Sequence, residues 1–187
     1  DSILAAMNRQ HTAADYLAII EQLRAARPDI ALSSDFIVGH PGETDADFDA
    51  TLALIRAVDY AQAYSFKYSP RPGTPASAME DAVPEDVKSD RLARLQDVVN
   101  GQQIAFNRTF IGRSVPVLLD RRGRSATQLA GRSPWMHAVH VDFGDPAAAE
   151  KAYGTTVDVR ILSAHPNSLA AAPAGDSGYS RQEPATV

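Results

Sequence analysis

Residues 32–44, Leu32-Ser33-Ser34-Asp35-Phe36-Ile37-Val38-Gly39-His40-Pro41-Gly42-Glu43-Thr44, form an apolar run that stops in a turn and restarts as a helix. From Ile30 to Val38 the residues are mostly β-branched or apolar, with Asp35 the one charge, which predicts a strand buried on both faces, as in a parallel sheet. Gly39 and Gly42 break it: glycine admits positive φ and lets a ligand or another backbone come close, while Pro41 fixes one bend between them. Thr44 and Asp47 have the spacing of a capping box, and Phe48, Leu52 and Ile55, with Ala53 and Val58, supply the apolar stripe of a helix. Strand, glycine turn and helix in this order predict an α/β unit, in which small molecules bind at the carboxyl ends of the strands. A carboxylate inside a buried strand needs a partner. A ribose diol and an internal arginine each answer that need for Asp35, and a tight connection with no ligand also accommodates the two glycines.

Downstream, the alternation from Asp59 to Tyr68 predicts a second strand, which feeds Ser69-Pro70-Arg71-Pro72-Gly73-Thr74-Pro75. Three prolines and a glycine in this loop exclude helix and central strand, so it holds Arg71 stiffly at the strand's carboxyl end, either over the glycine turn or simply exposed. Upstream, Asp1 to Met7 reads as the end of a helix, so the chain is expected to be a piece of something longer. Thr12 and Asp15 repeat the capping-box spacing, and Tyr16, Leu17, Ile20 and Leu23 carry a helix as far as Pro28. Arg9 lies in the turn between these two helices, as a ligand contact or as a surface residue. Pro84 to Asn107 is amphipathic and is expected to be a packing helix with no chemistry of its own. Residues 1–107 thus form one domain.

Texture changes after Arg108. Short β-rich segments at Ser114 to Leu119, Thr127 to Gly131, Ala138 to Val141 and Thr155 to Leu162 predict a small antiparallel barrel over residues 108–169. The run from Arg108 to Arg132 holds Arg113, Arg121, Arg122 and Arg124 as well, against Asp120 alone, whereas residues 1–107 carry nine basic and sixteen acidic side chains. The formal charge of −5 therefore hides a basic patch. Arg121 to Arg124 form a hairpin tip, and Arg132 lies close in sequence to Trp135. Arginine for phosphate and an aromatic for base stacking suit RNA, although Trp135 fits a barrel core equally well. Residues 170–187, rich in alanine, proline, glycine and polar groups, predict a disordered tail.

The 187 residues include no cysteine, which excludes disulfides, thiolate metal sites and cysteine nucleophiles within them. No apolar run approaches a membrane span and no signal peptide is evident, so a soluble cytoplasmic chain is expected.

Met7-Asn8-Arg9, Asp35 to Thr44, and Tyr68 to Ala76 together resemble the radical S-adenosylmethionine methylthiotransferases, most closely the tRNA-modifying branch. Gly112 to Leu169, with Gly131-Arg132-Ser133 and Pro166-Asn167-Ser168-Leu169, resembles their carboxyl-terminal TRAM domain. The resemblance implies the end of a partial, TIM-like β/α radical SAM barrel followed by an all-β TRAM barrel. It implies that Arg9 and Asp35 contact the carboxylate and ribose of S-adenosylmethionine, and that the backbone of Val38 and Gly39 lies beside its adenine. It places Arg71, Arg113, Arg122, Arg124, Arg132 and Trp135 on RNA, namely a tRNA anticodon stem-loop, with no membrane partner. The activity implied is addition of a methylthio group to C2 of an N6-isopentenyladenosine next to the anticodon. The family's 4Fe-4S clusters need cysteines that this chain lacks, so their ligands are expected in a missing amino-terminal part, and the chain alone is expected to be inactive. The rivals are the threonylcarbamoyl-adenosine and ribosomal-protein branches, and a non-catalytic RNA-binding module.

Overall fold

The computed structural model describes residues 1–79 and 82–175 and divides the chain into two compact units, residues 1–102 and 103–187. The first unit opens with α1 (Ser2–Ala6) and α2 (Ala13–Ala26), followed by β1 (Ser33–Val38), α3 (Asp45–Val58) and β2 (Gln62–Lys67), and it includes most of α4 (Glu85–Arg108). Both capping boxes form: Thr12 and Thr44 each accept from the backbone N–H three residues on, and Asp15 and Asp47 reach back to the cap residue's own N–H. Each box satisfies two of the donors that a helix start leaves without partners.

β1 and β2 pair in parallel, with Asp35 opposite Tyr64 and Ile37 opposite Phe66. One face of the pair is covered, since Phe36, Val38 and Ala63 join a core with Phe48, Leu52, Ile55, Val58, Leu95 and Val99. The other face is bare, and here the expectation of a strand buried on both sides is corrected. Asp35 and Ile37 alternate with the buried positions and are exposed, as are Tyr64 and Phe66 beside them. Within Ser33–Val38 it is Phe36 and Val38, on one side of the strand, that pack into the core.

The second unit begins within α4, whose last six residues belong to it, and continues through β3 (Ser114–Arg122), β4 (Gln128–Arg132), β5 (Ala138–Asp142), α5 (Pro146–Ala152), β6 (Thr156–His165) and β7 (Ser168–Pro173). The strands close in the order β3-β4-β5-β7-β6, with β5 and β7 parallel and every other pair antiparallel. Alternate residues Val115, Val117 and Leu119 of β3 point inward with Leu129, Val139, Val141, Val159 and Ile161. Gly131 has to be glycine, because a Cβ there would stand 1.9 Å from the Leu118 carbonyl oxygen.

Two expectations are corrected in this unit. Residues 170–173, expected to begin a disordered tail, complete β7, held by β5 on one side and β6 on the other. Their alanines have little strand preference of their own, and two neighbours supply the pairing. The helix α5 was not expected either. Asp145 caps it by accepting from the Ala147 and Ala148 N–H groups, and Pro146 occupies its first turn. The rest of the expected tail, residues 176–187, lies outside the described residues.

Candidate functional site

In the first unit the candidate site is the carboxyl end of the parallel pair. Gly39 and Gly42 take φ of +75° and +80°, which lets the chain reverse from β1 into α3. The turn is closed by its own groups: the Glu43 N–H donates to the His40 carbonyl (2.9 Å), and the Gly39 N–H donates to Glu43 Oε1 (3.0 Å). His40 is buried and its Nδ1 lies 2.9 Å from the Pro41 carbonyl, an arrangement that needs the hydrogen on Nδ1.

The loop after β2 meets this turn. The Tyr68 N–H donates to the Val38 carbonyl (2.8 Å), and its ring stands edge-on to His40 with centroids 5.3 Å apart. Tyr68 Oη is buried without a partner among the described residues. The glycine turn and the proline loop therefore share one end of the sheet. Arg71, exposed in that loop, has its carbonyl capped by the Thr74 N–H and hydroxyl.

What locks the turn comes from α4, the helix expected to have no chemistry. Arg91 is buried and donates from Nη1 to Glu43 Oε1 (2.7 Å) and to the Glu43 carbonyl (3.2 Å), and from Nη2 to Asp45 Oδ1 (2.7 Å). Burial opposes its charge, but the two carboxylates outweigh that and raise its pKa. Lys88 lies over Gly39, where a Cβ would stand 2.4 Å from Lys88 Cγ. The close approach that this glycine permits is thus made by the protein's own lysine.

Val38 and Gly39 are buried beneath this layer, whereas Asp35, on the same strand, faces outward on the bare side. No donor among the described residues engages the Asp35 carboxylate, so the internal arginine is not its partner. Arg9 is exposed in the turn after α1, its N–H bonded to the Leu4 carbonyl (2.8 Å) and its predecessor Asn8 at φ +58°.

In the barrel the arginines divide by what they touch. Arg122 is committed to the protein, with a two-pronged pair to Glu150 (2.6 and 3.1 Å) and its guanidinium 4.8 Å from the centre of the Tyr153 ring. The Glu150 carboxylate raises its pKa. Arg132 donates to the Met136 carbonyl (2.9 Å) and remains exposed. Arg124 is exposed at the hairpin tip, where its backbone N–H donates to Gln128 Oε1 (3.0 Å). Arg113 and Trp135 are brought together: the guanidinium lies 5.5 Å from the Trp135 ring and 4.5 Å from Phe110, and Trp135 packs half-buried against the core.

Beside them His137 is buried between Phe106 (5.3 Å, stacked) and Phe110 (4.5 Å), with Nδ1 3.0 Å from the Ser133 hydroxyl. Burial, then the nearby Arg113 charge, pushes its pKa down to about 4. Among the described residues no group of three or more His, Cys, Asp or Glu is placed to hold a metal ion, and no helix is long and apolar enough to cross a membrane.

The residues that sequence reasoning missed are Arg91 and His137. Glu43 was a signal for the first, since an acid sealed into a glycine turn needs a cation.

Comparison with known proteins fits this architecture. A model of the radical SAM superfamily matches residues 1–55. The chain is 56% identical over 173 residues to a tRNA-2-methylthio-N(6)-dimethylallyladenosine synthase of Sphingopyxis alaskensis, covering 92% of this chain and 38% of the relative. Synthases of the same name from Maricaulis maris (57% over 175 residues; 94% and 37%) and from Wolbachia pipientis subsp. Culex pipiens (53% over 170 residues; 90% and 38%) are similarly close. The chain spans less than two-fifths of the length of these curated relatives.

Proposed function

Because the chain belongs to the radical S-adenosylmethionine methylthiotransferase family, we propose that it forms part of a cytoplasmic enzyme that adds a methylthio group to C2 of N6-isopentenyladenosine in a tRNA anticodon stem-loop. In this proposal the first unit is the end of a β/α radical SAM barrel, and the second is a TRAM barrel that grips RNA.

The observation that carries the reading is the carboxyl end of the β1–β2 pair, where an outward, unengaged Asp35 stands three residues before a turn held rigid by Glu43 and Arg91. These residues fit S-adenosylmethionine. Asp35 accepts from the ribose hydroxyls, Arg9 pairs with the amino-acid carboxylate, and the Val38–Gly39 backbone borders the adenine. Bound there, the cofactor supplies radical chemistry at C2 of the base, while this chain's residues orient both reactants and exclude water. The iron–sulfur clusters do not fit this chain, which has no thiolate to hold them, and their ligands are assigned outside it. On the barrel, Arg113, Arg124 and Arg132 serve phosphates, and in the first unit Arg71 of the proline loop contacts RNA. Arg122 supports the hairpin through Glu150, and Trp135, beside Arg113, takes a base by stacking.

The test uses the full-length enzyme containing this chain, loaded with clusters and given an isopentenylated anticodon stem-loop. Wild type should yield the methylthio product. Asp35→Asn should weaken S-adenosylmethionine binding about tenfold or more, since a hydrogen bond to a charged group is worth roughly 1.5–3 kcal/mol. Unchanged cofactor affinity in that variant, or 5'-deoxyadenosine formed by the isolated cysteine-free chain, would overturn the assignment.

A further inference from the structure

The loop between β4 and β5, Ser133-Pro134-Trp135-Met136-His137, is closed by its own two ends. The Ser133 N–H donates to the His137 carbonyl (3.2 Å), and the His137 N–H donates to the Ser133 hydroxyl oxygen (3.3 Å), which also lies 3.0 Å from His137 Nδ1. Between them the Met136 N–H donates to the Ser133 carbonyl (2.9 Å), and the Met136 carbonyl accepts from Arg132 Nη1 (2.9 Å). Met136 takes φ of +64°, a left-handed conformation that a residue with a side chain keeps only where its surroundings hold it.

Ser133 and His137 are both buried. The imidazole lies against Phe106 and Phe110, and Phe110 in turn touches Trp135 (centroids 4.9 Å apart) and the Arg113 guanidinium (4.5 Å). Phe110 is thus the common neighbour of His137, Trp135 and Arg113. Every contact in this set joins residues of the second unit. Burial, then Arg113, holds the imidazole neutral at ordinary pH, so it sits near that cation without repelling it.

We propose, resting on the function above, that Ser133 and His137 are positioning residues for RNA binding: the pair closes the β4–β5 loop and, through Phe110, fixes Trp135 and Arg113 as a joined stacking face and phosphate contact. Neither residue of the pair touches RNA itself. A loop that had to find this arrangement at each encounter would lose affinity to the ordering, whereas a loop already closed does not. Alanine at 133 removes the hydroxyl that the His137 backbone and ring share, and leucine at 137 keeps apolar volume but offers no hydrogen-bonding atom.

The experiment uses the full-length enzyme and an isopentenylated anticodon stem-loop, with affinity read by fluorescence anisotropy across a salt series without reductant. At neutral pH neither Ser133→Ala nor His137→Leu removes a charge, so a change in salt dependence must come from a cation that has moved. Each should weaken binding about threefold to tenfold and lower the slope of log affinity against log salt by about 0.7–1, the loss of one phosphate contact. In an Arg113→Ala background, adding Ser133→Ala should leave the slope where Arg113→Ala had put it, since the contact it acts through is already gone. Thermal melts check that each variant is folded at the assay temperature, and Ser133→Ala, the smaller change, decides the matter if His137→Leu is not. A purely structural role would lower the melting temperature and leave the slope alone. That outcome, or an equal fall in slope with Arg113 already removed, overturns the positioning role while leaving the proposed function standing. A wild-type enzyme that neither binds nor modifies the stem-loop overturns that function and the positioning role with it.

Discussion

Arg91 shows what one residue contributes here. Its guanidinium holds Glu43 inside the turn through two hydrogen bonds, and both side chains are buried, so removing it strands a buried carboxylate without its cation. Arg91→Ala should cost on the order of 3–5 kcal/mol, the range for breaking a buried pair from one side. Asp45→Asn, whose side chain is almost wholly exposed, should cost well under 1 kcal/mol. Urea midpoints of the two variants check the contrast. His137 gives a second prediction. Its folded pKa of about 4 lies below the ordinary 6.5, so between those values the unfolded chain binds the extra proton. The stability it contributes is complete above about pH 6.5 and is lost as the pH falls towards 4, at a slope approaching 1.4 kcal/mol per pH unit. His137→Leu should flatten that part of the acid limb of the barrel's unfolding.

At the scale of elements, the local signals were the legible ones. Thr12 and Thr44, each three residues before an aspartate, announced their helices, because a cap is settled within a single turn. Asp145 and Pro146 carry the same kind of signal for α5. Thr44→Ala should cost about 1 kcal/mol, read as a shift in the urea midpoint. It should also return Asp47 towards ordinary carboxylate behaviour, since the Thr44 hydroxyl and then that of Ser2 are what lower its pKa to about 2. Because that pKa is depressed in the folded state, the support Asp47 gives is present above the unfolded value and lost as the pH falls through about 2. Glu43 calls for a cation but does not say which, because Arg91 lies 48 residues away, and β7 was hidden because its alanines take their conformation from β5 and β6. Which face of β1 is bare was equally hidden, since Ser33–Val38 reads alike from both sides until the helices are in place.

Across the whole molecule, charge is segregated. Residues 1–107 carry nine basic against sixteen acidic side chains, whereas residues 108–175 carry eight against five. RNA binding, on the proposed function, falls to the barrel and weakens with salt as phosphate contacts release counterions. Arg124→Ala and Arg132→Ala should each lower the slope of log affinity against log salt by about 0.7–1 while changing affinity similarly for different RNA sequences. Arg122→Ala should instead lower the barrel's melting temperature, because its guanidinium is spent on Glu150 and Tyr153. Fluorescence anisotropy at several salt concentrations, with thermal melts alongside, separates the two outcomes. The family was legible from several separate motifs occurring in one order along the chain.

The two-stranded sheet also has a consequence at the bench. Both of its outer edges are unpaired among the described residues, and Ile37, Tyr64 and Phe66 crowd one side. Free strand edges beside large apolar side chains template pairing between chains. Concentrated alone, this polypeptide will stick to its own copies, which light scattering against concentration reads.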